Sequence, residues 1–131
     1  MSDILIIDDD PGFVNFLKNH VHQSFPGLSI ATCLDPVCGL SQINPDLKLL
    51  LLDLEMPTID GEKVLTYAVA KGVSKSRVII LSGRDADYLH RRFPMGSCLA
   101  VLNKHEVRQK AVLNMVLGAL QEKYGHCEQA F

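Results

Sequence analysis

The chain has 131 residues, of which 47% are hydrophobic and 21% charged, a balance that indicates one folded domain and argues against wholesale disorder. No apolar run reaches the ~18 residues that a membrane helix needs, and no signal peptide opens the chain. The net charge of −2 lacks the basicity of a nucleic-acid-binding protein. We therefore expect a cytoplasmic domain that binds neither membranes nor nucleic acid.

The charges are divided unevenly along the chain. Residues 1–62 carry ten acids and two bases, whereas residues 63–131 carry five acids and eleven bases. Two interpretations remain open. The asymmetry is due to chance, or the first half builds an acidic pocket that the second half partly neutralises.

The cysteines give no sign of a metal site. They form no CxxC pair and lack metal-ligand spacing, which favours reduced thiols for all four: Cys33, Cys38, Cys98 and Cys127. For Cys33 and Cys38, a packing role is favoured over a redox pair.

Five short apolar runs alternate with segments that have helical signals. The runs predict strands over Ile4–Ile7, Leu28–Cys33, Leu49–Leu52, Val78–Leu81 and Cys98–Leu102. The first, third and fourth runs are unbroken aliphatic stretches, which is typical of parallel strands covered on both faces. The second run mixes bulky and small residues and suits the edge of a sheet.

Four predicted helices follow an aspartate that can cap the first turn, namely Asp10, Asp35, Asp60 and Asp85. In the first two, Pro11 and Pro36 occupy the first helical position, which proline favours. The fourth helix is predicted over Ala86–Phe93. Apolar residues at helical spacing from Val107 to Leu120 predict one last helix.

Strands and helices that alternate in this way predict an α/β fold of five βα units. Right-handed crossovers then give a doubly wound parallel sheet with helices on both faces. We assign residues 1–123 to this single domain and residues 124–131 to a C-terminal tail.

Polar residues stand at the carboxyl ends of four predicted strands, where such sheets bind their ligands. They are Asp8-Asp9-Asp10, Asp53, Ser82 and Lys104. Each has a structural explanation by itself, as a helix cap, a turn or a solvated lysine, but their coincidence indicates a site. Carboxylates ~5 Å apart repel by about 3 kcal/mol at an effective dielectric of 20, so clustered acids favour a cation. Their oxygen ligands suit magnesium.

Together these segments resemble the receiver domain of two-component response regulators. The matching segments are Ile4–Asp9, Leu51–Pro57 with Asp60-Gly61, Ile80–Gly83 and Leu102–Lys104. The resemblance spans residues 4–104 and extends through the last helix to about residue 123. It implies a flavodoxin-like sheet with strand order 2-1-3-4-5.

The resemblance also implies a regulatory domain rather than an enzyme. Asp53 would accept a phosphoryl group from a sensor histidine kinase or a phosphotransfer protein. The implied Mg²⁺ ligands are Asp8, Asp9, Asp53 and the backbone carbonyl of Glu55. Ser82 would bond a phosphoryl oxygen, and Lys104 would pair with the phosphoryl group.

An output face follows from the same resemblance. The fourth helix, the fifth strand and the last helix would contact an unknown output protein or effector domain. A phosphorylation-dependent dimer is also compatible with it.

Three positions depart from the family pattern. Val101 stands where many members carry an aromatic switch residue, which puts the usual ring-to-hydroxyl coupling in doubt. His105 replaces a proline after the lysine, so we expect no cis peptide bond there. Gly96 lies one residue farther from Lys104 than the common family glycine.

Two side chains near the site have alternative interpretations. Glu55 and Arg84 either form an ion pair over the phosphorylated site and hinder attacking water, or are both solvated.

Two competing functions differ in what they need. A haloacid dehalogenase-type phosphatase also uses an aspartate after a strand, but it requires an aspartate two positions on, where this chain has Glu55. A pseudo-receiver that does not cycle phosphate is disfavoured by the complete set of acids, Ser82 and Lys104. Because Val101 replaces the aromatic switch residue, the pseudo-receiver remains the alternative function.

Overall fold

A computed structural model describes residues 2–94, 96–108 and 111–124 of the chain. They form a parallel sheet in the order β2-β1-β3-β4-β5, so the predicted architecture and strand order are confirmed. The strands are β1 Ile4–Ile7, β2 Ile30–Cys33, β3 Leu49–Asp53, β4 Val78–Ser82 and β5 Ala100–Asn103. The helices are α1 Pro11–Ser24, α2 Pro36–Gln42, α3 Gly61–Ala70, α4 Ala86–Arg92, α5 Lys104–Arg108 and α6 Ala111–Tyr124.

The second and fifth strands begin two residues later than predicted. Leu28 donates its N–H to the Phe25 carbonyl at 3.0 Å, so it belongs to the turn that follows α1. Before β5, Ser97 donates to the Pro94 carbonyl, and Gly96 has a φ of 94°, a value that favours glycine. These turns use backbone groups that a longer strand would need. The second strand does lie at the sheet edge, as predicted.

The last predicted helix falls on two helical segments, α5 and α6, and residues 109–110 between them lie outside the described residues. The first begins at Lys104 rather than Val107 because the Asn103 side chain accepts the His105 N–H at 2.7 Å and so caps the helix. The predicted tail also lies outside the described residues, apart from Tyr124, where α6 ends.

The sheet divides the core into two layers. Ile4 and Ile6 of β1 pack with residues of α1, α5 and α6, whereas Leu5 and Ile7 pack with residues of α2, α3 and α4. All four of these β1 residues are buried, as expected for a central parallel strand. Within the described part of the chain, every helix is too short or too polar to cross a bilayer.

Candidate functional site

The strand register brings the predicted site residues to one edge of the sheet. Ile7 pairs with Leu52, so Asp8 and Asp53, the residues that follow them, lie at the same level. Asp53 itself pairs with Leu81, the residue before Ser82. On the far side, Ser82 pairs with Asn103, which immediately precedes Lys104. The regular hydrogen bonding of parallel strands therefore places the predicted polar residues together.

Three of the aspartates form an acidic cluster. Carboxylate oxygens of Asp8, Asp9 and Asp53 all lie within 4.8 Å of one another. Asp8 is 0% exposed and Asp53 is 2% exposed, whereas Asp9 faces solvent. The cluster therefore has a buried floor and one open side from which an ion or a phosphodonor can approach.

Asp10 has a different role from its two neighbours. Its carboxylate accepts the backbone N–H groups of Gly12 at 3.0 Å and Phe13 at 3.4 Å, so it caps α1. Its own N–H donates to Asp8 Oδ1 at 2.9 Å. The cap thus also orients a carboxylate of the acidic cluster.

Lys104 supplies positive charge from the second half of the chain. Its Nζ lies 2.9 Å from Asp8 Oδ2 and 3.6 Å from Asp53 Oδ1. Burial acts to lower the pKa of Lys104, but the hydrogen bond and charge of Asp8, together with the charges of Asp53 and Asp10, raise it overall. The ammonium therefore stays protonated, and of the two interpretations of the charge asymmetry, a partly neutralised acidic pocket is the one that the structure shows.

The phosphoacceptor candidate has a strongly perturbed carboxyl group. Burial first, and then the charge of Asp8, raise the pKa of Asp53 to about 8. Lys104 and the Glu55 N–H, which donates to Asp53 Oδ1 at 3.2 Å, act in the opposite direction. Without further positive charge, a proton is therefore held at this carboxyl group near neutral pH.

The acidic cluster fits the magnesium ion that the resemblance implies. Apart from its ion pair with Lys104, the buried Oδ2 of Asp8 has no hydrogen-bond partner among the described residues. The cluster offers this oxygen, the exposed carboxylate of Asp9 and the buried carboxylate of Asp53. Such an all-oxygen donor set is suited to a hard cation. The carbonyl of Glu55 remains the predicted fourth ligand.

Ser82 has an acidic partner that the sequence did not indicate. It is fully buried, and its hydroxyl donates to Glu55 Oε2 at 2.6 Å. The other oxygen of Glu55 accepts the Gly83 N–H at 3.3 Å. A carboxylate thus occupies both the Gly83 N–H and the Ser82 hydroxyl, the group that the resemblance assigns to a phosphoryl oxygen.

An ion pair between Glu55 and Arg84, one of the two interpretations of these side chains, is not formed in this structure. Glu55 is held by Ser82 and Gly83, while the Arg84 guanidinium lies 3.9 Å from the centre of the Tyr88 ring. A guanidinium stacks well on an aromatic face, and the Ser82 hydroxyl and the Gly83 N–H already donate to the Glu55 carboxylate. Arg84 therefore does not cover the site in this conformation.

Two further residues shape the site without having been predicted. Asn103 donates its side-chain amide to the Arg84 carbonyl at 2.9 Å, which ties the loop after β4 to β5. The Phe13 ring lies beneath Lys104, whose Nζ is 5.0 Å from the ring centre. Only Asn103 had a sequence signal, since asparagine before a helix is a common cap.

The departures from the family pattern lie on or beside the proposed output face. The peptide bond between Lys104 and His105 is trans, as expected. Val101 is half-buried, and the neighbouring Leu99 is 47% exposed. A cavity of about 350 Å³ lies beside them, lined by His90, Phe93, Pro94, Gly96, Cys98, Leu99, Ala100 and Val101.

Comparisons with known proteins agree with this geometry. The family described as the response regulator receiver domain matches residues 4–115. A protein-glutamate methylesterase/protein-glutamine glutaminase of group 2 operon from Bradyrhizobium diazoefficiens is 26% identical over 130 residues. That match covers 94% of this chain but only 32% of the relative.

Solved structures extend the likeness to three dimensions. The receiver domain of Francisella response regulator 1452 has a TM-score of 0.75 at 21% identity, over 94% of this chain and 98% of that one. A response regulator receiver domain from Rhodospirillum rubrum has a TM-score of 0.66 at 19% identity, over 86% of this chain and 93% of that one. At these identities the structural likeness establishes the fold alone.

Proposed function

The chain belongs to the response regulator receiver domain family, and from this premise we propose that it is a cytoplasmic, magnesium-dependent phosphorylation switch. Its proposed phosphodonor is a phosphohistidine on a sensor histidine kinase or a phosphotransfer protein. The observation that carries the proposal is the position of Asp53, whose carboxylate lies within 4.8 Å of those of Asp8 and Asp9 and has the Lys104 ammonium 3.6 Å from its Oδ1.

In the proposed reaction, Asp53 is the nucleophile. An ionised carboxylate oxygen forms a bond to phosphorus while the P–N bond of the phosphohistidine breaks, and the imidazole leaves with the electron pair. Because the pKa of Asp53 is raised to about 8, its proton must leave first. A magnesium ion held by Asp8, Asp9 and Asp53 would offset charge on the transferring group.

Lys104 and Ser82 respond to the new group in different ways. Lys104 Nζ is already 3.6 Å from Asp53 Oδ1, so it can pair with a phosphoryl oxygen there after a small movement. Ser82 must first exchange its hydrogen bond to Glu55 for one to the phosphoryl group. This exchange couples phosphorylation to the loop that follows β4, a two-state element of the kind that such switches use.

The proposed output surface combines α4, β5 and the last two helices. Movement of the loop after β4 would reach it directly, because Asn103 of β5 bonds the Arg84 carbonyl. We propose that an output protein, an effector domain or a second copy of the chain docks there. On this proposal the domain is regulatory and is not itself an enzyme.

A pseudo-receiver is the alternative function, and two observations favour it. The Ser82 hydroxyl already donates to the Glu55 carboxylate. Val101 has no aromatic ring that could move when this hydrogen bond breaks. In this alternative, the acids and Lys104 form a stable charged network that does not accept phosphate.

Phosphorylation by a small donor distinguishes these functions. The chain is incubated with acetyl phosphate or phosphoramidate, with and without Mg²⁺, and the intact mass is measured. We expect one phosphoryl group per chain in the presence of Mg²⁺, and none in Asp53→Asn. Asp46→Asn, which removes an exposed acid distant from the cluster, is the matched control and should retain phosphorylation.

The other outcomes identify the competing functions. If neither the wild-type chain nor Asp46→Asn gains the mass of a phosphoryl group, the chain is a pseudo-receiver. A chain that releases many equivalents of phosphate without accumulating a phosphorylated form is a phosphatase. Either result would contradict the proposed switch.

A further inference from the structure

Two thiols that are five residues apart meet beside β2. Cys33 is the last residue of β2 and is buried, whereas Cys38 lies in α2 and is exposed. Their sulfur atoms are 3.7 Å apart. The Gln42 amide nitrogen points at both, 3.1 Å from Cys33 Sγ and 3.8 Å from Cys38 Sγ. An amide donor shared by two sulfurs is a polar arrangement, which simple apolar packing would not require.

The backbone around the two thiols is held in place, so their proximity does not depend on a mobile segment. A Cβ on Gly39, next to Cys38, would lie 2.5 Å from an Ile7 side-chain carbon, which shows how closely α2 packs on β1. Cys33 pairs with Ile7 in the sheet, and its carbonyl accepts the Asp8 N–H at 3.1 Å. The sulfur separation must fall to about 2 Å in a disulfide, and side-chain rotation can supply much of that movement.

We propose that Cys33 and Cys38 form a thiol–disulfide site that is oxidised by hydroperoxides. Cys38 sulfur attacks the peroxide, an S–O bond forms as the O–O bond breaks, and the peroxide is reduced with release of water or an alcohol. Cys33 sulfur then attacks the Cys38 sulfenic acid, an S–S bond forms, and the hydroxyl group leaves as water with the Cys33 proton. An external dithiol restores both thiols by exchange.

The surroundings of the two sulfurs determine the order of these steps. Cys33 is buried, and its sulfur accepts the Gln42 amide, so it is shielded from an oxidant in solution. Cys38 is exposed and therefore meets the oxidant first. Once Cys38 is oxidised, its sulfur is the electrophile nearest to Cys33. The pair lies one hydrogen bond from the acidic cluster, through the Cys33 carbonyl and the Asp8 N–H.

Mass spectrometry of the full chain tests this site directly. The reduced protein is treated with hydrogen peroxide, free thiols are alkylated, and proteolytic peptides are mapped. We expect a peptide pair joined through Cys33 and Cys38 that is lighter by two hydrogen atoms, and a return to two free thiols after treatment with dithiothreitol. Cys98 is half-buried, and its thiol donates to the Ala100 carbonyl. We expect it to stay reduced and to be found alkylated.

Two variants keep the proposal falsifiable. Cys33→Ser leaves the sulfenic acid at Cys38 unresolved, so dimedone should label Cys38 in this variant and not in the wild-type chain. Cys98→Ser is the matched control and should still form the Cys33–Cys38 disulfide. Equal dimedone labelling of Cys38 in the wild-type chain and Cys33→Ser, or no oxidation of Cys38, would overturn the proposal. This readout does not involve Asp53 phosphorylation.

Discussion

At the scale of single residues, Asp53 combines a buried position with a charge that its proposed function requires. The acidic cluster lowers the stability of the fold because burial and Asp8 both disfavour an ionised Asp53. The same repulsion favours a bound cation, which would also offset negative charge on a transferring phosphoryl group. Stability and the proposed function therefore make opposite demands on this residue.

The first prediction concerns the stability of Asp53→Asn. An ordinary aspartate has a pKa of 3.8, and that of Asp53 is about 8 in the fold, so between these values the folded chain holds the proton and the unfolded chain does not. The contribution of Asp53 to the free energy of unfolding is therefore greatest below pH 4 and is lost as pH rises towards 8. In EDTA at pH 8, we expect Asp53→Asn to raise Tm by about 3–5 °C, on the order of 1 kcal/mol.

Thermal unfolding followed by circular dichroism at pH 5 and pH 8 measures this effect. The difference between Asp53→Asn and the wild-type chain should shrink at pH 5, where the wild-type carboxyl group is protonated. Asp46→Asn serves as the control at both pH values. A lower Tm for Asp53→Asn at pH 8 would mean that the attraction of Lys104 outweighs burial and Asp8.

The second prediction concerns the carboxylate that Ser82 holds. Glu55→Ala removes an acid from the mouth of the site and frees the Ser82 hydroxyl and the Gly83 N–H. Because phosphodonors are anions, we expect phosphorylation by acetyl phosphate to become about threefold to tenfold faster. The rate is measured from the growth of the phosphorylated mass. Glu122→Ala, which removes an exposed acid on α6, should not change it. A slower reaction would assign Glu55 a supporting role.

The sequence contained most of this site but not all of it. Asp8, Asp53 and Lys104 lie at or just after the carboxyl ends of strands, and the regular register of a parallel sheet brings such strand ends together. Glu55 is an exposed residue in a loop, and no periodicity fixes where its side chain turns. Its contact with Ser82 was therefore predictable only from coordinates.

At the scale of elements, the start of α1 separates a structural aspartate from the proposed metal ligands. Asp10 binds two N–H groups of the first turn, whereas Asp9 points into the acidic cluster. We predict that Asp10→Ala lowers the free energy of unfolding by about 1 kcal/mol, the usual cost of losing a cap. Mg²⁺ affinity should change more in Asp9→Ala than in Asp10→Ala.

Urea unfolding and Mg²⁺ titration of both variants measure the two effects separately. The expected result is opposite rankings, with Asp10→Ala less stable and Asp9→Ala weaker in Mg²⁺ binding. If Asp10→Ala lost more Mg²⁺ affinity than Asp9→Ala, the assignment of Asp10 as a cap rather than a ligand would be wrong.

The last helices show why element boundaries were harder to predict than element types. Val107 and Leu117 are both buried in the same core cluster, so one apolar repeat continues across α5 and α6. An apolar repeat reports which face of a helix meets the core, and it starts at the first buried residue rather than at the first helical residue. The capping contact between Asn103 and His105 sets the start of α5, and it is a local hydrogen bond that the repeat does not encode.

At the scale of the whole molecule, one sheet serves two packed layers. Leu117 of α6 is 0% exposed in one layer, and Val64 of α3 is 0% exposed in the other. Each rests on buried strands that the two layers share. The loss of packing in either layer should therefore weaken the same cooperative unit.

The final prediction compares two residues of α6 that differ in burial. Leu117→Ala should lower the free energy of unfolding by about 2–5 kcal/mol because it leaves a cavity against the sheet, whereas Met115, 74% exposed, should tolerate alanine. Urea unfolding followed by circular dichroism should show one transition in both variants, with an unchanged m-value. A second transition in Leu117→Ala would mean that α6 unfolds independently of the sheet, and that the two layers are not one cooperative unit.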